Sequence, residues 1–213
     1  VRPALELCKK KHIPVFVIDS EVSDTEAVVS TIVSDNYDAG VQCAKDMMKK
    51  KTSANIIIVN QKALNSINER VKGFRDTIKG HPQYKIVEEK ESAAEFEIAM
   101  KVMEKIIYEK KNYDVVMGGN DPIALGCIAA MQMTDKTDQV MVYGVDGSPD
   151  GKAMIKAGFL EGTAAQSPIK IGEKAVQTAY SYLAGETVKK HVTIPVELIT
   201  ADNLKFYDMT GWQ

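Results

Sequence analysis

Along this chain of 213 residues, apolar positions alternate between short unbroken runs and stripes at helical spacing. Runs at 13–18, 56–59, 113–117 and 140–143 predict strands, since a brief apolar run bounded by turn residues suits a strand buried on both faces. Shorter or more polar strands are predicted at 32–33, 84–87, 159–165 and 192–199, the last interrupted by Pro195. Stripes of Val41, Ala44, Met47 and Met48, then Ile67, Val71, Phe74 and Ile78, then Phe96, Ala99, Met100, Met103 and Ile107 predict amphipathic helices between them. Further helices are predicted at 1–11, from Pro122 to about Met133, through Met154 and Ile155 to a stop at Gly158, and through Ile171, Ala175, Ala179 and Leu183 to a stop at Gly185. Residues 21–31 read as a polar connection and 202–213 as a tail. Strand and helix alternate throughout, which makes this an α/β chain with mostly parallel sheet covered by helices on both faces.

Open parallel sheets bind ligands beyond the carboxyl ends of their strands, where loops and helix starts converge. Four strand ends here deliver a polar side chain: Asp19, Asn120, Asp146 and Gln166. Asp146 opens the turn Asp146-Gly147-Ser148-Pro149-Asp150-Gly151, and Gln166 follows the next strand. Asp121 before Pro122 already makes a cap-then-proline helix start, which leaves Asn120 without a local duty. Nothing helical follows Asp19 for it to cap. Plainer roles stand beside these, since Asp146 also suits a turn organiser, Gln166 a holder of a backbone crossing, and Arg70 a surface helical arginine.

A net charge of -2 and a pI near 6.0 leave no basic footprint for nucleic acid or an anionic membrane. Lysines cluster at 9–11, 49–51 and 110–111, at predicted helix ends, where they complement the helix dipole and stay solvated. No apolar run approaches the ~20 residues of a membrane span. Neither a signal peptide nor a lipobox is legible, and Val1 opens in mid-helix, so the chain is expected to lack an upstream portion. Cys8, Cys43 and Cys127 are isolated in apolar helical pattern and read as small buried hydrophobes rather than metal ligands or nucleophiles. His12, His81 and His191 are scattered, so neither a zinc cluster nor a catalytic triad is legible. Gly118-Gly119-Asn120 lacks the spacing of a phosphate-cradling loop. Asp19 and Asp146 as a glycosidase pair would need one desolvated carboxyl, and no sign of desolvation is visible. The expectation is a binding protein without catalytic residues, metal or cofactor.

The segment Gly144-Val145-Asp146-Gly147-Ser148-Pro149-Asp150-Gly151, followed by Gly162-Thr163 and by Gln166 with Pro168, resembles the periplasmic sugar-binding proteins of the ribose-binding type, which feed ABC importers. Glu69-Arg70 with Gly73-Phe74 is shared with the same family, and the resemblance covers essentially the whole chain. It implies a type I periplasmic-binding-protein fold, in which two Rossmann-like lobes face a cleft and the chain crosses between them three times. Residues 34–166 would form one complete, C-terminal-type lobe. Residues 1–33 with 167–197 would be the remnant of the N-terminal-type lobe, short of about two βαβ units of ~30 residues each, and 198–213 would be the last hinge crossing and the tail. Asp19, Arg70, Asn120, Asp146 and Gln166 match the family's ligand positions. Their mixture of acceptors and donors suits a polyhydroxylated ring. Two departures stand out: Ser20 replaces the arginine of the ribose-specific members, and Ala93-Ala94 stands where many members carry a stacking aromatic.

The implied function is the solute receptor of a carbohydrate importer, a monomer whose partners are a small sugar and a membrane permease. It would be periplasmic or a cell-surface lipoprotein, closing about a hinge on its ligand. The alternative with the same fold is the effector-binding core of a lactose-repressor-type regulator, which the three free cysteines favour and the transport-like turn at Asp146 disfavours. A third reading is the sensor domain of a membrane receptor.

Overall fold

A computed structural model describes residues 1–134 and 140–213. The chain divides into two compact units, one formed by Val1–Asp35 with Ser167–Pro195 and the other by Asn36–Gln166 with Val196–Gln213.

The larger unit is built on a six-stranded sheet in the order β4 (Tyr84–Glu91), β3 (Ala54–Asn60), β5 (Val115–Gly118), β6 (Met141–Asp146), β7 (Gly162–Ala165), β9 (Glu197–Thr200). Neighbours are parallel except for β9, which runs antiparallel to β7 with Gly162 opposite Thr200. Continuous apolar runs make the central strands: Ile56, Ile57, Ile58 and Val59 of β3 and Val115, Val116 and Met117 of β5 are fully buried, as a sheet covered on both faces requires. Around it pack α2 (Asn36–Lys50), α3 (Asn65–Ile78), α4 (Phe96–Tyr108), α5 (Asp121–Gln132) and α6 (Pro149–Lys156). Ala39, Cys43, Ala44 and Met47 of α2 and Ile67, Val71, Phe74 and Ile78 of α3 join the same core as the strands. Helices α2 and α3 meet backbone to backbone: a Cβ added at Gly40 would lie 1.8 Å from the Arg70 carbonyl oxygen, and one at Gly73 would lie 2.0 Å from that of Tyr37. No other residue type permits that approach.

The smaller unit carries a three-stranded parallel sheet, β1 (Phe16–Ile18), β2 (Ser30–Ser34), β8 (His191–Ile194), with helices α1 (Arg2–Lys10) and α7 (Pro168–Leu183). Helix α7 packs on β1 and β2.

Three elements differ from the sequence pattern. The stretch 192–199 is two strands, β8 and β9, that belong to different sheets, because Pro195 has no N–H to continue a ladder. Strand β4 runs on to Glu91, well past the apolar pattern. It is an edge strand, and its charges are accommodated by pairs such as Arg75 with Glu89 at 2.6 Å and Lys111 with Glu88 at 2.7 Å. Strand β2 begins at Ser30, inside the stretch expected to be a connection; Ser30 and Thr31 are buried there, and Ser30 Oγ donates to the Lys189 carbonyl at 2.8 Å. Of the cysteines, Cys43 and Cys127 are buried and Cys8 is half-buried; burial pushes the Cys127 thiol up to about 12, so it stays a protonated hydrophobe.

Candidate functional site

Four of the five residues singled out by sequence lie in the larger unit at the carboxyl edge of its sheet. Asp146 is the last residue of β6, and Gln166 directly follows β7, which pairs with β6. Asn120 follows β5, and Arg70 lies in the second turn of α3. Asp146 links three of them. Its Oδ1 accepts from Gln166 Nε2 at 2.7 Å and lies 3.6 Å from Arg70 Nη1, while its Oδ2 accepts from the Asp121 N–H at 3.3 Å. Arg70 is only 3% exposed, so the surface-arginine reading fails. Its guanidinium is held in place, with Nε donating to Asn36 Oδ1 at 2.9 Å and Nη1 to the Gly119 carbonyl at 2.9 Å. Asn36 is absent from the sequence-derived set; it is the first residue of α2, beside Tyr37, whose carbonyl meets Gly73 of α3.

Asp19 belongs to the smaller unit, where it directly follows β1 with φ 69°. Its N–H donates to the Ile32 carbonyl at 3.0 Å, and its carboxylate accepts from Ser20 Oγ at 3.3 Å. It is exposed.

Asn120 and Asp121 exchange the roles expected of them. Asn120 is the N-cap of α5, its Oδ1 accepting from the Ile123 N–H at 3.0 Å, so it does have a local duty; its Nδ2 donates to the Ala94 carbonyl at 3.4 Å. Asp121 is one position further on, inside the helix, where its side chain turns away from the cap and into the protein. It is completely buried, and accepts from the Ser148 N–H at 2.9 Å, Ser148 Oγ at 2.6 Å and Thr163 Oγ1 at 2.6 Å.

Electrostatics follow from this crowding. Burial pushes the Asp146 carboxyl up to about 7; Arg70 opposes the shift, the neighbouring Asp121 adds to it, and the bonds from Gln166 and the Asp121 N–H oppose it. Burial also raises Asp121, against the donors on Ser148 and Thr163 and the nearby Arg70 charge. Three converging donors oppose the rise at Asp121, and the two carboxyls titrate as a coupled pair. Desolvation, invisible in the sequence pattern, is therefore the main influence on Asp146. The backbone is also under constraint, with φ 146° at Asp146 and 58° at Ala94. Side chains rarely adopt such values, and residues that do so cluster at ligand clamps.

Ala94 offers its carbonyl to Asn120 rather than a ring, and Phe96, at the start of α4, faces a depression lined by Leu125, Ile128 and Met154 on α5 and α6. Among the described residues, no group of three or more His, Cys, Asp or Glu side chains is placed to hold a metal. No described helix is long and apolar enough to cross a membrane. What the site offers is a compact set of hydrogen-bonding groups of both senses: guanidinium, carboxylate and two amides.

A family model described as "Periplasmic binding protein domain" matches residues 1–187. The ribose import binding protein of Escherichia coli (strain K12) is 31% identical over 199 residues, which are 92% of this chain and 66% of that protein. The D-apiose import binding protein of Paraburkholderia graminis is 31% identical over 210 residues, 97% of this chain and 67% of that one. Among solved structures, an ABC transporter solute binding protein from Agrobacterium vitis with bound D-fucose aligns with a TM-score of 0.86 and 29% identity, over 95% of this chain and 71% of that chain. The chain thus spans about two thirds of the length of the curated relatives it matches.

Proposed function

This chain belongs to the periplasmic binding protein family, and from that premise we propose that it serves as the solute receptor of a carbohydrate ABC importer, binding a monosaccharide without transforming it. The observation that carries the proposal is the Gln166–Asp146–Arg70 arrangement at the sheet's carboxyl edge, an acceptor flanked by two donors at 2.7 and 3.6 Å. Adjacent sugar hydroxyls present the complementary pattern, each donating to Asp146 and accepting from Arg70 or an amide. Asn120 adds an amide to this set, and Asp19 is proposed as a further acceptor carried by its own unit. A hydroxyl of the wrong configuration leaves one of these groups unpaired once the ligand has displaced its water, at a cost of about 1–3 kcal/mol, and so sets epimer preference.

The import-binding relatives support a receptor over the effector core of a transcription regulator. The remaining parts of the reading are extracytoplasmic placement with or without a lipid anchor, a permease as the membrane partner, and a monomeric state. No nucleic acid partner is proposed, in keeping with the net charge of -2.

The test is a thermal-shift and calorimetric screen with D-ribose, D-apiose and D-fucose, extended to other pentoses, hexoses and deoxyhexoses. At a hundredfold excess over Kd the true ligand adds ~2.7 kcal/mol of stability, and Arg70→Ala abolishes the gain. A flat response across the panel refutes the proposal.

A further inference from the structure

Resting on the receptor reading above, we propose that Asp121 is a positioning residue for the sugar-binding set: its carboxylate fixes the turn that presents Asp146 and the helix start that presents Asn120, without itself reaching a ligand.

The geometry around it admits only a carboxylate. Ser148 Oγ donates to Asp121 Oδ2 at 2.6 Å and accepts from the Gly151 N–H at 3.0 Å. Thr163 Oγ1 donates to Asp121 Oδ1 at 2.6 Å and accepts from the Gly147 N–H at 3.0 Å. Each hydroxyl is thereby oriented by a backbone N–H behind it, so that its own proton points at Asp121. With the Ser148 N–H at 2.9 Å, three donors converge on a group that has only acceptors to offer. The backbone is shaped around the same carboxylate. A Cβ on Gly144 would lie 2.4 Å from Asp121 Oδ1, and one on Gly151 would lie 2.5 Å from Oδ2.

Between those two glycines lies Asp146, whose φ of 146° is rare for a residue with a side chain. Such backbone persists only where surrounding contacts over-determine it. Asp121 supplies those contacts on both sides of Asp146: its N–H reaches Asp146 Oδ2 at 3.3 Å, and Ser148 and Thr163 tie the following turn to α5. With the tie released, the turn relaxes and the Asp146 carboxylate leaves its place between Gln166 and Arg70. Asp121 acts on Asp146 by charge as well, raising its proton affinity, while Arg70 on α3 lowers it.

The experiment uses Asp121→Asn and Thr163→Val. Asn sets an NH2 against one of the two oriented hydroxyl protons; Val removes one of them. Two readouts are taken: calorimetric affinity for D-ribose, D-apiose and D-fucose, and the titration midpoint of the Asp146 carboxyl carbon, by NMR of aspartate-labelled protein. Asp121→Asn is expected to weaken the best-bound sugar tenfold or more and to move the Asp146 midpoint to lower pH, because the adjacent charge is gone. Thr163→Val leaves Asp121 poorer in donors and more readily protonated, so it is expected to move both readouts in the same directions by less; it carries the test if Asp121→Asn does not fold. A folded variant with unchanged affinity and an unmoved midpoint overturns the proposal. Should the wild type bind none of the sugars, the receptor reading fails separately, and the midpoint, which needs no ligand, still decides whether Asp121 governs Asp146.

Discussion

Replacing Asp146 with Asn isolates the effect of burying a carboxylate in this site. With its proton affinity raised by burial to about 7, folded Asp146 holds a proton over a range of pH in which the unfolded chain, near the ordinary carboxylate value of ~4, has already lost it. The sign follows: the folded state binds more protons than the unfolded state between those two values, so stability is fully present below about pH 4 and is lost as the pH rises through 7. The slope is about 1.4 kcal/mol per pH unit while the difference lasts. Between pH 5 and pH 8 Asp146 therefore removes about 2.7 kcal/mol of stability from the wild type, a ceiling that any relaxation of the 16%-exposed side chain lowers. The amide introduced by Asp146→Asn does not titrate, so the pH-dependent part of the difference reports Asp146 together with the Asp121 carboxyl coupled to it. Urea denaturation of wild type and Asp146→Asn at pH 5, 6, 7 and 8 measures the difference directly, with the m-value checked for constancy. The expected outcome is a variant whose stability relative to wild type rises steadily with pH and levels off above 7. Parallel curves, with the same difference at pH 5 and pH 8, would refute the claim that Asp146 is desolvated.

Two further outcomes follow from the packing. Gly40→Ala puts a methyl group 1.8 Å from the Arg70 carbonyl oxygen, forcing α2 and α3 apart; despite the helix propensity that Ala adds, it should cost about 3 kcal/mol, measured by thermal or urea unfolding, and a neutral result would mean the crossing is looser than described. Lys152→Met keeps the apolar stem of a fully buried side chain but removes the ammonium that donates to the carbonyls of Asp208 and Gly211, so carboxypeptidase should trim residues 207–213 faster than in wild type, and an unchanged rate would show the tail to be held by other contacts.

Much of the site was legible because a strand end followed by turn residues says where a side chain is delivered. Asp146 and Gln166 end or follow adjacent strands, and both were recoverable from the boundary between an apolar run and a turn. The roles of Asn120 and Asp121 were not. Either residue type caps a helix, and what separates them is the pair of hydroxyl partners on Ser148 and Thr163, 27 and 42 residues further along the chain. The same limit applies to Arg70: its periodicity fits a helix surface, and only contacts with distant residues, Asn36 34 positions before it and Gly119 49 positions after it, hold the guanidinium inside the protein. The proton affinity of Asp146 depends on a dielectric environment that no single segment encodes. In the fold, Pro195 marked the break between β8 and β9, but a proline cannot say that the strands on either side of it join different sheets.

The glycine crossing of α2 and α3 also bears on how the proposed receptor would acquire new preferences. Contact between backbones leaves no side-chain layer to repack, so the start of α3, and Arg70 with it, has almost no neighbouring substitution through which its position could drift. Arg70 thus keeps its place beside Asp146 through the backbones beneath it. On the proposed receptor reading, diversification would fall instead to positions outside the helices and strands, such as Ala94 and Ser20, where a new side chain leaves the helices undisturbed.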